Sequence, residues 1–282
     1  MTSSSCRFVA VLVAALAIAV AMPVHAQRSP DELVKAAAAG ETTRVAGLID
    51  SGFDVGAPGS GGLTPLAAAA AGGHLDVMRL LLKRKASVTS RDAQGNTPLH
   101  GASEWGRTSA AALLIDASGP VDARNESGET PLHLAAKGGH LDVARILLER
   151  GAAVDPRTQS GETPLHFAAM SGNAMLVRLL LDRKADANAA NETGETALFW
   201  AAGDGHVAVL RVLLDGGAAV DVQDREGNTA LIFAADGDEA EAARLLLQRK
   251  ANVAHRNKQG LSALDVAKAR EAKATAKVLN SR

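Results

Sequence analysis

"GETPLH" stands at Gly128–His133 and returns at Gly161–His166, with "GNTPLH" covering Gly95–His100. The copies are 33 residues apart, and the residue that opens the motif can be followed at that interval through Thr64, Thr97, Thr130, Thr163, Thr196, Thr229 and Ser262. One interval earlier stands Asp31, opening "DELVKAAAAG". Eight units in unbroken register thus run from Asp31 to the C-terminus. Counted from the opening residue, position 3 is leucine in all eight (Leu33 to Leu264), position 6 is alanine (Ala36 to Ala267) and position 18 is leucine (Leu48 to Leu279). A fixed period of roughly 20–50 residues marks a repeat architecture, in which each unit buries its apolar face against its neighbours.

One unit can be read physically. Thr130 is a suitable N-cap, and Pro131 falls at the first helical position, where a missing N–H and a fixed φ do no harm. Gly138–Gly139 supplies the left-handed geometry that ends a helix, so the first helix is short. A second follows through "HLDVARILLER", with Val143, Ile146 and Leu147 on one face, and Gly151 stops it. Ala135 and Ala136 keep the first helix slim enough to lie close against the second. The remaining "VDPRTQSGE" carries turn chemistry and predicts an extended, hairpin-like finger between successive helix pairs.

With this period and the T-P-L-H-x-A signature, the chain resembles the ankyrin-repeat family from Asp31 to Arg282. The resemblance implies an all-α, gently curved solenoid of about eight helix-turn-helix units whose fingers and first helices form a concave, partner-binding face. The expected organisation is a signal peptide (1–26), a short linker (27–30) and a repeat domain (31–282), with an N-terminal cap repeat (31–63), six inner repeats (64–261) and a C-terminal cap repeat (262–282). The first unit replaces the Thr-Pro start with acidic residues. The last places Lys268, Arg270, Lys273 and Lys277 on a helix without the mid-unit glycine, so both read as polar caps.

Composition supports helices. Hydrophobic residues make up 47% of the 282-residue chain, yet only 2% are aromatic and tyrosine is absent, so the interior must be built from alanine, leucine and valine. Lys+Arg is 30 against Asp+Glu 31, a balance that provides no net field for nucleic acid or an anionic membrane. Arg7, the apolar run Phe8–Met22 and the small residues Val24 and Ala26 resemble a Sec-type signal cleaved before Gln27; the run is shorter than the roughly 20 residues of a membrane-spanning helix. Cleavage would remove the single cysteine, Cys6, and would direct the mature chain to the periplasm or medium as a monomer without disulfides.

Internal comparison decides what the histidines do. The slot of His100, His133 and His166 holds Val34, Ala67, Phe199, Ile232 and Asp265 in the other units, which makes it a packing and capping position. Successive units stack about 8–10 Å apart, too far for neighbouring rings to share a zinc ion that wants its nitrogens at about 2.0–2.1 Å. His74, His140 and His206 follow the turn glycine and read as interhelical hydrogen-bonding groups. No nucleophile elbow, Walker loop or His-Glu-x-x-His helix occurs, and "GSGGLT" at Gly59–Thr64 lacks the lysine of a phosphate loop. Neither enzyme activity nor a cofactor is expected; a metalloprotein or hydrolase on the solenoid would need a convergent polar pocket.

A binding surface remains. Trp105 occupies a helix-end slot filled elsewhere by Gly72, Gly138 and Ser171, and is either an interface anchor or a ring filling space in a unit with Gly101 nearby and a displaced second glycine. With Lys137 and Met170 it is expected to form one patch, flanked by Glu129, Glu162 and Glu195 immediately before the motif threonines. Those carboxylates repel by only about 0.4 kcal/mol per pair at 10 Å in water; they serve either the adjacent helix N-termini or a basic partner. The stripe Leu134, Phe167, Trp200 and Phe233 reads as packing between first helices. Asn125-Glu-Ser127 and Asn191-Glu-Thr193 match the glycosylation sequon at finger tips. The resulting expectation is an exported module that binds an unknown protein partner through its concave face, or alternatively an inhibitor or immunity-type protein that occludes a toxin or enzyme.

Overall fold

The computed structural model describes residues 29–281. The expected signal segment lies outside them. A Thr or Ser followed by Pro or Ala opens each short first helix: α1 (Pro30–Ala38), α3 (Pro65–Gly72), α5 (Pro98–Glu104), α7 (Pro131–Lys137), α9 (Pro164–Met170), α11 (Ala197–Gly203), α13 (Ala230–Asp236) and α15 (Ala263–Ala269). Each is followed by a second helix: α2 (Thr42–Asp50), α4 (Leu75–Lys83), α6 (Thr108–Asp116), α8 (Leu141–Glu149), α10 (Ala174–Asp182), α12 (Val207–Asp215), α14 (Ala240–Gln248) and α16 (Lys273–Asn280). Among the described residues the only β pairing is an isolated bridge between Arg256 and Ser262, so the chain is an all-α repeat solenoid.

Each first helix packs along the next, α1 on α3 through to α13 on α15, and more extensively than successive second helices do. Alanine is the reason. The alanines at position 6, from Ala36 to Ala267, are all fully buried, and with no side chain beyond Cβ they let the helices approach closely. The second helices bury longer residues such as Val77, Leu81, Val143, Leu147, Val209 and Leu213, all at 0% exposure. A solenoid that is tighter along one row than the other turns its first-helix row into the concave side. In the end units Leu48 and Leu264 are half-buried, whereas Leu33 and Leu279 are buried at 1% and 3% exposure.

The fingers are turns tied by backbone hydrogen bonds. In one, Asn125 N–H donates to the Glu129 carbonyl at 2.9 Å and Gly128 N–H to the Asn125 carbonyl at 3.0 Å. Each finger also donates to the one before it: Glu126 to Gln94, Gln159 to Ser127 and Glu192 to Ser160, each at 2.9 Å. The Asn125 and Asn191 side chains of the sequons close these turns by accepting backbone N–H groups, at 3.0 Å from Ser127 and 3.0 Å from Thr193.

One expectation is met and one needs correction. The third unit keeps Gly106 (φ 65°) at position 10, as Gly73 (79°) and Gly139 (68°) do, but its second glycine is displaced: Ser118 takes the left-handed site after the second helix at φ 66° and Gly119 follows it. The last unit is two helices, not one, because Glu271 adopts φ 58° at that position and breaks α15 from α16 without glycine, as Asp238 does at φ 56° one unit earlier. The repeated packing on both sides holds a left-handed residue there whatever its side chain.

Position 22, just after each second helix, is the other left-handed site. It holds Gly151 (φ 88°) and Gly217 (95°) but Lys184 (71°) and Lys250 (68°). A non-glycine residue in that region is strained by roughly 1–2 kcal/mol, partly offset by its smaller loss of chain freedom. Lys184→Gly is therefore expected to raise stability by about 0.5–1 kcal/mol and Gly151→Ala to lower it by about 1 kcal/mol. A Cβ on Gly151 would meet nothing within 4 Å, so urea melts of the two variants read the backbone effect alone.

Candidate functional site

The conserved-looking "TPLH" copies first build a scaffold. Thr130 backbone N–H donates to His133 Nδ1 at 3.0 Å in a reciprocal capping box, as Thr97 does with His100 (3.1 Å) and Thr163 with His166 (3.1 Å). With Nδ1 accepting, the neutral ring carries its proton on Nε2, which donates to the carbonyl of the residue 29 positions later: His100 to Glu129 at 3.1 Å, His133 to Glu162 at 3.2 Å and His166 to Glu195 at 3.1 Å. The histidine at position 4 thus fixes position 33 of its unit, at the finger stem that leads into the next, and the residue so fixed is the rim glutamate. In the last unit Asp265 takes the slot; its carboxylate accepts from Ser262 N–H at 3.0 Å, which chiefly holds its pKa down to about 2.

The second histidine set also links units. His74, His140 and His206 reach through Nε2 to the carbonyls of Ala38, Glu104 and Met170 at 2.8, 2.9 and 3.0 Å, the C-terminal carbonyls of the preceding first helices. Arg107 Nε does the same for Ala71 at 3.0 Å, and Asn173 Nδ2 donates to the Gly139 carbonyl, in the turn after α7, at 2.8 Å. Among the described residues no three His, Cys, Asp or Glu side chains converge as metal ligands would.

Above this scaffold the first helices and finger stems enclose four hollows that join into one groove. The first is lined by Asn96, Glu104, Glu129, Leu134 and Lys137, and the second by Glu129, Thr158, Glu162, Phe167 and Trp200. The third is lined by Met170, Glu195, Trp200, Asp204 and Phe233, and the fourth by Phe233, Asp236, Asn257 and Arg270. Glu129, Trp200 and Phe233 each form a wall shared by two hollows.

The stripe expected to be packing is partly that. Leu134 is 6% exposed, while Phe167, Trp200 and Phe233 are half-buried. Their rings meet edge to face, Phe167 with Trp200 at 5.8 Å between centroids, Phe167 with His133 at 5.8 Å and Phe233 with Phe199 at 5.2 Å. One face of each ring row packs, and the rest lines the groove. Reading the stripe as packing alone missed that second role, because periodicity places a residue on a helix face but not its depth beneath a neighbouring finger.

The rim carboxylates are anchored by side chains of their own or the following unit. Glu129 accepts from Asn125 Nδ2 at 3.0 Å and lies 3.9 Å from Lys137 Nζ; Glu162 accepts from the Thr158 hydroxyl; Glu195 accepts from the Trp200 indole N–H at 2.8 Å. The Lys137 ammonium lies 5.9 Å from the Phe167 ring centroid. Lys137 and Met170 line different hollows, and Trp105 lines none. Trp105 caps the end of α5 with 58% of its surface exposed, next to Glu104, which does line the first hollow. Of the six residues singled out by sequence, the groove therefore gathers Glu129, Glu162, Glu195, Lys137 and Met170 and leaves Trp105 at its edge.

The histidines generate a pH dependence. Burial holds His133 down to about 4 and pushes His100 and His166 in the same direction. A histidine whose folded pKa lies below its unfolded value contributes its full stability above about 6.5, and that contribution is lost as pH falls toward about 4. Chemical denaturation between pH 7 and 4 should therefore show falling stability, and His133→Ala, which removes the ring, should flatten the slope. At pH 7 that variant should lose at least about 1–2 kcal/mol through the unpaired Thr130 N–H and Glu162 carbonyl.

Comparison with known families agrees with this architecture. The family model described as "Ankyrin repeats (3 copies)" matches residues 33–123, 118–191, 176–257 and 209–280. No curated protein matches the chain.

Proposed function

The chain belongs to the ankyrin-repeat family, whose repeats are protein–protein interaction modules, and on that premise we propose that it is an exported binding protein that engages a protein partner in the concave groove. The observation that carries the reading is the groove itself. Half-buried aromatic walls at Phe167, Trp200 and Phe233 stand beside anchored carboxylates at Glu129, Glu162 and Glu195, the combination of apolar centre and polar rim that interfaces use. No enzymatic step is assigned: the buried histidines have their ring nitrogens committed to backbone partners, which leaves them unable to act as bases.

Export rests on the sequence from Arg7 to Ala26. Among the described residues no helix is long and apolar enough to cross a membrane. Mass spectrometry of the protein made with its native N-terminus should find a chain beginning at Gln27; a chain that keeps Phe8–Met22 would reject the signal.

The binding reading is tested with the mature chain as bait in native envelope and medium fractions. Trp200→Leu is the informative variant, because Leu134 shows that leucine fits the same position of another unit. It should weaken the captured complex by more than about 2 kcal/mol with little change in melting temperature. In the same assay Trp105→Ala separates two roles: weaker binding at an unchanged melting temperature makes Trp105 an anchor of the same surface, and the reverse pattern makes it a structural ring. Retained affinity in Trp200→Leu would move the interface off the groove.

A further inference from the structure

The two middle hollows of the groove share a chemistry that the outer two lack. The second presents the Glu162 carboxylate beside the Trp200 ring, while Glu129 and Phe167 on its other side already face Lys137, at 3.9 Å from the carboxylate and 5.9 Å from the ring centroid. The third presents Glu195 and Asp204 beside Trp200, Phe233 and Met170, with no basic lining residue. The outer hollows contain Lys137 at one end and Arg270 at the other, the latter paired with Asp236 at 2.6 Å. On the two sides of Trp200, Glu162 and Glu195 hold fixed negative charge next to half-buried rings with no salt bridge to a lysine or arginine among the described residues, an environment that a guanidinium or ammonium group fits. It can lie over a ring while donating to a carboxylate.

The carboxylates are also held in place. The Trp200 indole N–H takes one oxygen of Glu195, the Thr158 hydroxyl one oxygen of Glu162, and the histidines His166 and His133 hold their backbones. Little side-chain freedom remains to be lost on binding. We propose that the groove recognises an extended basic segment of its protein partner, with one cationic side chain seated on each side of the Trp200 indole. The hollows follow one another by one unit, and packed helices lie about 8–10 Å apart. Residues i and i+3 of a polyproline II segment, which rises about 3.1 Å per residue and brings every third side chain to one face, match that separation. This inference rests on the concave groove being the binding face.

The test uses the mature chain carrying Trp105→Phe, so that Trp200 is the only tryptophan and its fluorescence reports the site. The probes are the blocked hexapeptides GRGGRG, GRGGAG, GAGGAG and GEGGEG. GRGGRG should shift the Trp200 emission saturably, bind at least tenfold more tightly than GRGGAG, and weaken as salt is raised; GAGGAG and GEGGEG should give no shift. The double variant Glu162→Gln, Glu195→Gln keeps an acceptor oxygen for Thr158 and for the indole and removes only charge, so it should retain its melting temperature and bind GRGGRG at least tenfold more weakly. Equal binding of GAGGAG, salt-independent binding of GRGGRG, or undiminished binding in the glutamine variant would each overturn the proposal. Should the glutamine variant melt early, the peptide series and the salt dependence of the parent decide alone. A captured partner that Trp200→Leu weakens, together with no response to GRGGRG, refutes the cationic occupant and leaves the groove reading standing; a partner indifferent to Trp200→Leu refutes the groove reading itself.

Discussion

Close packing of each first helix on the next is the constraint from which the rest follows. No unit of 33 residues buries enough apolar surface to stand alone, and the alanines at position 6 bring neighbouring backbones near enough for short polar side chains to bridge them. The bridges at position 11, such as His74 to the Ala38 carbonyl and Asn173 to the Gly139 carbonyl, require that spacing at every interface they cross. So does the bond from His133 to the Glu162 carbonyl, which reaches from the core of the unit to the finger stem that leads into the next. A larger residue at position 6 would separate the helices and break all of these together.

That coupling explains how a scaffold motif and the proposed binding surface come to occupy the same six residues. The histidine is inside and its target, a glutamate backbone carbonyl, lies at the rim, so core packing sets the direction of the carboxylate. Charges elsewhere are arranged so as not to interfere. Arginines of the second-helix row pair with carboxylates one unit back, Arg84 with Asp50 at 2.8 Å and Arg249 with Asp215 at 2.8 Å, on exposed positions where such pairs contribute little to stability. The finger arginines donate to carbonyls, Arg91 to Arg124 at 2.7 Å and Arg157 to Ala190 at 2.7 Å. The groove glutamates are left largely without cationic neighbours apart from Lys137.

Nearly all of the fold was legible because the period is unbroken and positions 3, 6 and 18 never vary. The structural role of the histidines was legible too, from the valine, phenylalanine and aspartate that replace them. What escaped was whatever depends on a partner outside the unit. The acceptor for His133 is a backbone carbonyl, which leaves no residue-type signature. The break between α15 and α16 occurs at Glu271, where tertiary packing overrides a side chain that argues for a continuous helix. Trp200 was placed on the right helix face, but its bond to Glu195 and its place between two hollows depend on the height of a finger, which spacing does not encode. Trp105 drew attention as a rare aromatic, yet rarity says nothing about which side of the helix end it occupies.

The central claim is that the concave groove, not the second-helix row, is the working surface, and oxidative footprinting of the mature chain with and without its captured partner tests it most directly. The method reads tryptophan, methionine and phenylalanine, which this protein places informatively: Phe167, Trp200 and Met170 line the groove, whereas Met175, 65% exposed, lies on α10 in the second-helix row. The account predicts that the partner protects Trp200, Met170 and Phe167 from oxidation and leaves Met175 as reactive as in the unbound protein. Protection of Met175 with unchanged oxidation of Trp200 and Met170 would contradict it.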